Sequence, residues 1–345
     1  MLEIMRDNIE TLGLHATEAQ FDSTLKWTRD LLRNQTLELT IEDAGWEEDQ
    51  GWLDLKLINL SGHKFPSGYP ARRAWIEVLA HQGQDTIWHS GKWGVDGRIV
   101  GVDEGGLSVF QPHHEVLTEE DDVQVYELVA VDVTGAPTNI LERAAASAKD
   151  NRLLPLGFAH DDPVYDTTSV VGEALGDMDF VALSAMGQDR LSYAMSAHPN
   201  PELDLKLEVR VWYQSMPPRW VESMFLFSDS TIQAFKGMFE SQGAAPELVA
   251  EKTLTVPVTT GIRNAGAWDR LVVYPNPAID GRVRVKLPAQ EGLVQWELYQ
   301  ADGTRVKHGQ ARGLEWDVEL PSSAGTYLLK VHGEREMWSQ RITRP

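Results

Sequence analysis

Leu203-Asp204-Leu205-Lys206-Leu207-Glu208-Val209-Arg210-Val211 alternates apolar and charged side chains without a slip. Successive side chains of a strand point to opposite faces, whereas a helix would spread this pattern around its circumference. The segment, continued through Trp212, is predicted to be a strand with one face on a core and the other in water. Thr36–Glu42, with Leu37, Leu39 and Ile41, alternates in the same way, as do Leu53–Leu57 and Arg73–Leu79, where Trp75, Ile76 and Val78 supply bulk. Val123–Val133 reads as one long strand ending at a Thr134-Gly135 turn, and Glu251–Val258 as a closing strand. The 12 tryptophans suit sandwich cores or binding faces.

Helical spacing appears first at Leu2, Ile4, Met5 and Ile9, and Gly13 interrupts it. A second helix is expected after Thr17, a good N-cap, with Phe21, Leu25, Thr28 and Leu32 on one face. Two such helices cannot bury a core by themselves and must pack on the next domain or on something upstream. Asn139–Lys149, rich in Ala and Leu, and Pro217–Gln242, with Pro at its first turn, read as helices inserted among the strands. Gly261–Ala267 is small and flexible, and from Trp268 the pattern changes. Short strands at Arg282–Leu287, Val294–Gln300, Trp316–Leu320 and Tyr327–His332 alternate with turns such as Ala301-Asp302-Gly303-Thr304, which implies a small sandwich. The prediction is a mainly β protein: a helical segment (1–35), a helix-decorated β-sandwich (36–260), a linker (261–267) and a small Ig-like β-sandwich (268–345).

The net charge of −21 is unevenly spread: residues 1–264 carry 20 basic and 42 acidic side chains, and residues 265–345 carry 11 and 10. A body this acidic disfavours nucleic acid and anionic lipid as partners. With no cysteine, the chain has no disulfide, thiol catalyst or zinc–thiolate site, and no Cys-x-x-Cys-His for covalent haem. No apolar run approaches the ~18 residues of a membrane span, and Met1-Leu2-Glu3-Ile4-Met5-Arg6-Asp7 lacks the basic start and apolar stretch of a signal peptide.

In Val272–Ala278 (Val-Val-Tyr-Pro-Asn-Pro-Ala), Pro275 and Pro277 fix φ and bias their predecessors toward extended structure, and Asp280-Gly281 offers a turn. The same residues would serve to open any extracellular β-module. Downstream come Trp296-Glu297-Leu298-Tyr299 before an Asp-Gly turn, Ala324-Gly325-Thr326-Tyr327, and a final strand over Glu336–Thr343. In this order the segment resembles the C-terminal sorting domain of the type IX secretion system of Bacteroidetes-type bacteria. The resemblance implies the type IX machinery as a partner and a secreted or cell-surface destination. It also implies an export signal, so that Met1 is expected to be an internal residue of a longer protein.

Asn59–Trp75 contains Gly62-His63-Lys64-Phe65-Pro66 in a loop between two predicted strands. Gly62 and Gly68 permit unusual backbone angles, Pro66 and Pro70 stiffen the loop, and Phe65 and Tyr69 can anchor it. Such a loop holds His63 in one orientation, as a hydrogen-bonded structural residue or as a metal or haem ligand. The stretch resembles a motif in the β-rich C-terminal regions of multihaem c-type cytochromes. The resemblance extends to Ser90–Gly101, Gln111–Val116 with His113 and His114, Val123–Glu127, Leu141–Gly157 and Trp212–Ser215, and covers roughly Met1–Thr260. It implies that His63 first, and His113 second, serve as distal axial ligand to a haem held by an absent haem-bearing upstream domain or cytochrome partner. It also implies that Arg72 and Arg73 neutralise haem propionates, although both suit solvated charge at a strand's flank.

His113 and His114, adjacent on a strand, would face opposite ways and so would not share one ion without a bend. His81 and His89 flank a predicted hairpin at Gln82–Asp85, and the acidic groups at Glu119–Asp122 and Asp161-Asp162 lack a full Ca²⁺ ligand spacing. There is no nucleophile elbow, Walker loop, dinucleotide fingerprint or His-Glu-x-x-His. The expected role is electron transfer together with a missing haem-bearing part, without catalysis by this chain. The alternative is a stand-alone surface-binding module or adhesin for a carbohydrate or protein.

Overall fold

The computed structural model describes residues 1–159, 162–181, 187–259, 271–279, 281–287, 293–300, 304–332 and 337–344. The chain forms two compact units, Met1–Gly261 and Ile262–Pro345. Both are mainly β; the predicted linker 261–267 lies outside the described residues.

In the first unit, one sheet runs in the order β12 (Val258–Thr259), β1 (Leu37–Glu47), β2 (Gln50–Asn59), β9 (Gln188–Ser196), β5 (Val116–Leu117). The other runs β11 (Glu247–Val256), β10 (Leu205–Gln214), β3 (Arg73–Gln82), β4 (Asp85–Ser90), and β6 (Val125–Tyr126) also pairs with β3. Leu205, Leu207, Val209 and Val211 of β10 share one core with Leu53, Leu55 and Leu57 of β2 and Leu191, Tyr193 and Met195 of β9. The alternation that predicts β10 thus carries one side of the sandwich, while Lys206, Glu208 and Arg210 line its other face. Strand β3 is covered on both sides, because Trp75 also packs with Ile99, Val102, Val123 and Val125 in a second apolar cluster.

Helix α2 (Glu18–Gln35) stands where the spacing places it, and helix α1 (Leu2–Asp7) takes in Leu2, Ile4 and Met5 but ends before Ile9. Thr17 caps α2 in a capping box with Gln20; Phe21 and Leu25 are buried, whereas Thr28 is exposed. The helices pack within the unit. Ile4 joins Val221 and Phe239 in a small core, and Arg29 bonds Glu247 of β11 at 2.6 Å and Glu3 at 2.8 Å.

Three expectations are corrected. Val123–Val133 divides into β6 and β7 (Leu128–Val131), with buried Glu127 at the break, and β7 pairs with β8 (Ala146–Asp150) rather than with β3. Asn139–Lys149 is a 3₁₀ turn at Leu141–Arg143 followed by β8 (Ala146–Asp150), so pairing with β7 overrides the helix preference of its alanines. Pro217–Gln242 breaks after α4 (Pro218–Val221), and α5 starts only at Ser230, where Asp229 caps it. The short α3 (Met178–Val181) precedes β9.

The second unit has a three-stranded sheet, β13 (Val272–Tyr274), β14 (Arg282–Lys286), β17 (Glu315–Glu319). Its four-stranded sheet runs β16 (Arg305–Arg312), β15 (Leu293–Gln300), β18 (Gly325–His332), β19 (Met337–Arg344). Val283, Val285, Leu298, Tyr327, Leu329 and Ile342 lie in one core between them. Among the described residues, no helix is long and apolar enough to cross a membrane.

Candidate functional site

The His63 loop leaves the end of β2 at Asn59, whose fully buried side chain organises it. Asn59 Nδ2 donates to the carbonyls of His63 (2.8 Å), Leu153 (3.0 Å) and Leu154 (3.2 Å), and its Oδ1 accepts from Ser61 N (2.9 Å) and Oγ (2.6 Å). Phe65 and Leu153 exchange both backbone hydrogen bonds at 2.9 Å. Lys64 turns inward, its Nζ 2.9 Å from Asp150 Oδ2, and Arg152 holds both Asp150 oxygens at 2.8 Å. Burial lowers the Lys64 ammonium from its ordinary value, with Asp150 opposing the shift.

With its neighbours fixed, the His63 ring is left exposed. Its Nδ1 lies 3.0 Å from the Lys64 carbonyl and 3.4 Å from Ser61 Oγ. Donation to the carbonyl puts the ring proton on Nδ1 and leaves the lone pair on Nε2. A ligating imidazole is oriented in this way, by an Nδ1–H bond to a backbone carbonyl. Arg72, half-buried, donates from Nη1 to the Ser67 carbonyl at 2.8 Å and folds over Gly68, where a Cβ would lie 2.9 Å from Nη1.

The expectation for Arg73 is corrected. Its guanidinium is fully buried and bonds Asp103 in bidentate fashion at 2.7 and 2.6 Å and Gln214 Oε1 at 2.9 Å, so it cannot meet a propionate. Burial raises Asp103, but the bonds and charge of Arg73, aided by Arg219, hold it below its ordinary value.

His113 is corrected as a haem ligand for the same reason, since it is buried with both ring nitrogens engaged. Nε2 lies 2.9 Å from Asp177 Oδ2, and Nδ1 accepts from Gln124 Nε2 (2.9 Å) and Asn151 Nδ2 (3.2 Å). Asp189 completes a His113–Asp177–Asp189 cluster whose ligand atoms lie within 4.8 Å of one another. Asp189 Oδ2 accepts from Tyr126 at 2.7 Å while the buried Oδ1 has no partner among the described residues, and burial pushes the carboxyl up to about 6.

The donor set could hold a divalent cation, but the hydrogen bonds oppose it. Ligation through Nε2 needs Nδ1 to carry the proton and find an acceptor. Here Nδ1 faces two amide NH₂ groups. Neither amide can turn round, because Gln124 Oε1 already accepts from His114 N (2.9 Å) and Asn151 Oδ1 from Glu127 N (3.0 Å). The cluster is therefore a hydrogen-bonded brace between the sheets. His114 bonds Gln111 instead, so the adjacent histidines serve separate environments.

Beside it, Lys149 Nζ donates to the Val125 carbonyl at 2.7 Å and reaches Glu127 at 3.4 Å; burial, the largest influence, lowers it to about 8. Arg219 pairs with Glu127. Gln124, Tyr126, Glu127, Lys149, Asp150, Asn151 and Gln214 all belong to segments that carry the cytochrome resemblance, and they converge on buried polar contacts rather than on a ligand. The acidic segments also have local work: Asp122 accepts from Thr118 N and Glu119 N, and Asp162 from Val164 N, whereas Asp161 lies outside the described residues. His81 and His89 bond Glu208 and Glu77, not each other. Asp177 and Asp189 escaped the sequence reading, since a lone Asp carries no spacing signal, whether just before α3 (Asp177) or at a core-facing position of β9 (Asp189).

No family model and no curated protein matches this chain. Among solved structures, a penta-haem cytochrome c552 from Thermochromatium tepidum is similar at 14% identity and TM-score 0.39, over 66% of this chain and 41% of that one. The chain thus spans less than half of that cytochrome's length. The CD2-binding domain of CD58 is similar at 8% identity and TM-score 0.18, over 87% of this chain and 95% of that one. Likenesses this weak identify neither a family nor a ligand.

Proposed function

We propose that this chain is a β-rich module of an exported, multihaem cytochrome-like electron-transfer protein. It would offer His63 as distal axial ligand to a haem held on other polypeptide, with Arg72 beside the loop as a propionate partner. The observation that carries the reading is His63, an exposed residue whose ring is fixed by the Lys64 carbonyl through Nδ1. Two histidines saturate an iron and suit it to electron transfer rather than substrate chemistry. The second unit is assigned as the type IX sorting domain, with a secreted or cell-surface destination.

A c-type haem peptide with one His ligand and an open axial position tests the first assignment. Adding the whole chain should convert the high-spin spectrum to a low-spin bis-His form, and His63→Ala should abolish most of that conversion. Equal conversion by the variant would remove His63. For the tail, a form fitted with an export signal but lacking 268–345 should stay in the periplasm of a type IX host, and its surface display would sink the sorting role.

A further inference from the structure

The two sheets of the second unit present different outer faces. On β14 and β17 each exposed base stands opposite an acid: Arg282–Glu319 at 2.7 Å, Arg284–Asp317 at 3.0 Å and Lys286–Glu315 at 3.9 Å. That face is neutralised pair by pair. The outer face of the four-stranded sheet is not. Register across β16, β15, β18 and β19 sets Arg305, Tyr299, Leu328 and Arg341 in one row, and His308, Glu297, Lys330 and Ser339 in the next. Glu297 is the one acid in these rows; it pairs with Arg305 and meets His332 at 3.5 Å. Arg341 and Lys330 have no carboxylate partner among the described residues, and Lys330 rests over the Tyr299 ring at 5.2 Å. Tyr299, Thr326, Leu328, Lys330 and Arg341 line a shallow groove on this face.

We propose that this face docks a short acidic polypeptide segment of a partner, independently of the secretion assignment. The row has an apolar centre, Tyr299 and Leu328, between two arginines on the outer strands. With strands ~4.8 Å apart, Arg305 and Arg341 stand on backbones roughly 14 Å apart. An extended segment with acidic residues at positions 1 and 5 and an apolar residue at position 3 puts all three side chains on one side over about 13 Å. It therefore matches the row, with one carboxylate on Arg341 and Lys330, the other on Arg305, and the apolar side chain on Leu328. The exposed Arg305–Glu297 pair is weak enough to be exchanged. A long polyanion fits poorly. The basic row is only roughly 14 Å long, and residues 265–345 carry 11 basic and 10 acidic side chains, so a membrane or nucleic acid finds no extended basic surface on this unit.

The probe is a labelled heptapeptide, Gly-Glu-Ser-Val-Ser-Glu-Gly, titrated with the whole chain in fluorescence anisotropy. Binding should weaken with salt and fall about tenfold or more in Lys330→Glu/Arg341→Glu. The milder Arg341→Gln should lie between, and Arg284→Glu on the opposite sheet should leave binding unchanged. Thermal melts establish that each variant is folded. Equal binding by the double variant would overturn the proposal. So would equal loss in Arg284→Glu, or tighter capture by phosphatidylglycerol vesicles than by the peptide.

Discussion

Trp46 lies flat over Gly51, its cross-strand partner, and a Cβ at position 51 would fall 2.3 Å from Cε3 of the indole. Next to it the arrangement is inverted: Gly45 faces Trp52, and a Cβ there would lie 2.2 Å from Cζ2. Trp46 is in the core at 1% exposure, while Trp52 is half-buried on the outer face. Gly51→Ala should therefore cost about 1–3 kcal/mol, the usual penalty of overpacking. Gly45→Ala should cost less, because Trp52 can swing outward. Urea unfolding of both variants checks the order, and equal losses would show that the ring's freedom to move is irrelevant.

The Arg73–Asp103 pair forms a second test. Removing one member of a buried ion pair leaves the other uncompensated, so Asp103→Leu and Arg73→Met should each destabilise by roughly 3–5 kcal/mol. The combined Arg73→Met/Asp103→Leu replacement should lose less than the sum of the two single changes. A double-mutant cycle on denaturant midpoints gives the coupling, and strict additivity would mean the contact contributes nothing specific.

The strands with clean alternation were legible. Strand β10 reads off its own sequence because each apolar residue finds the facing sheet. Strand β9 (Gln188–Ser196) did not, since Asp189 sits in its core-facing register, and Glu127 likewise hides the break between β6 and β7. Strand β16, Arg-Val-Lys-His-Gly-Gln-Ala-Arg, has few apolar residues, and Gly309 gives way to the ring of Trp296 across the strand. Of the candidate ligands, the local Gly/Pro setting of His63 pointed to a ring held in one orientation, but not to its exposure. The burial of His113 and Arg73 depends on Asp177 and Asp103, 64 and 30 residues away, and no local pattern encodes partners so remote.

Asn59 ties the His63 loop to three carbonyls, and its replacements separate donor chemistry from volume. Asn59→Ala should cost about 1–3 kcal/mol by orphaning buried carbonyls. Asn59→Asp, almost the same size, should cost more, because it sets a charge against those carbonyls and cannot donate. Hydrogen exchange should show lost protection of Phe65 N and Leu153 N in both variants. Unchanged exchange there would mean that the Phe65–Leu153 bridge holds the loop without Asn59.

Asp189 makes stability depend on pH in a direction that can be worked out. Burial raises its carboxyl to about 6 in the folded chain, from about 3.9 in the unfolded one. Between those values the native state keeps a proton that the unfolded chain has released. The stability Asp189 contributes is then full below pH ~4 and is lost as the pH rises through 6. Above that, an ionised carboxylate with an unpartnered Oδ1 costs about 3 kcal/mol. Asp189→Asn does not ionise, yet its amide oxygen can still accept from Tyr126. Relative to the parent chain it should be no more stable at pH 4.5 and should gain up to about 3 kcal/mol by pH 7.5. Urea denaturation of both proteins at the two pH values measures the difference, and a gap that stays constant with pH would show that Asp189 ionises as freely folded as unfolded.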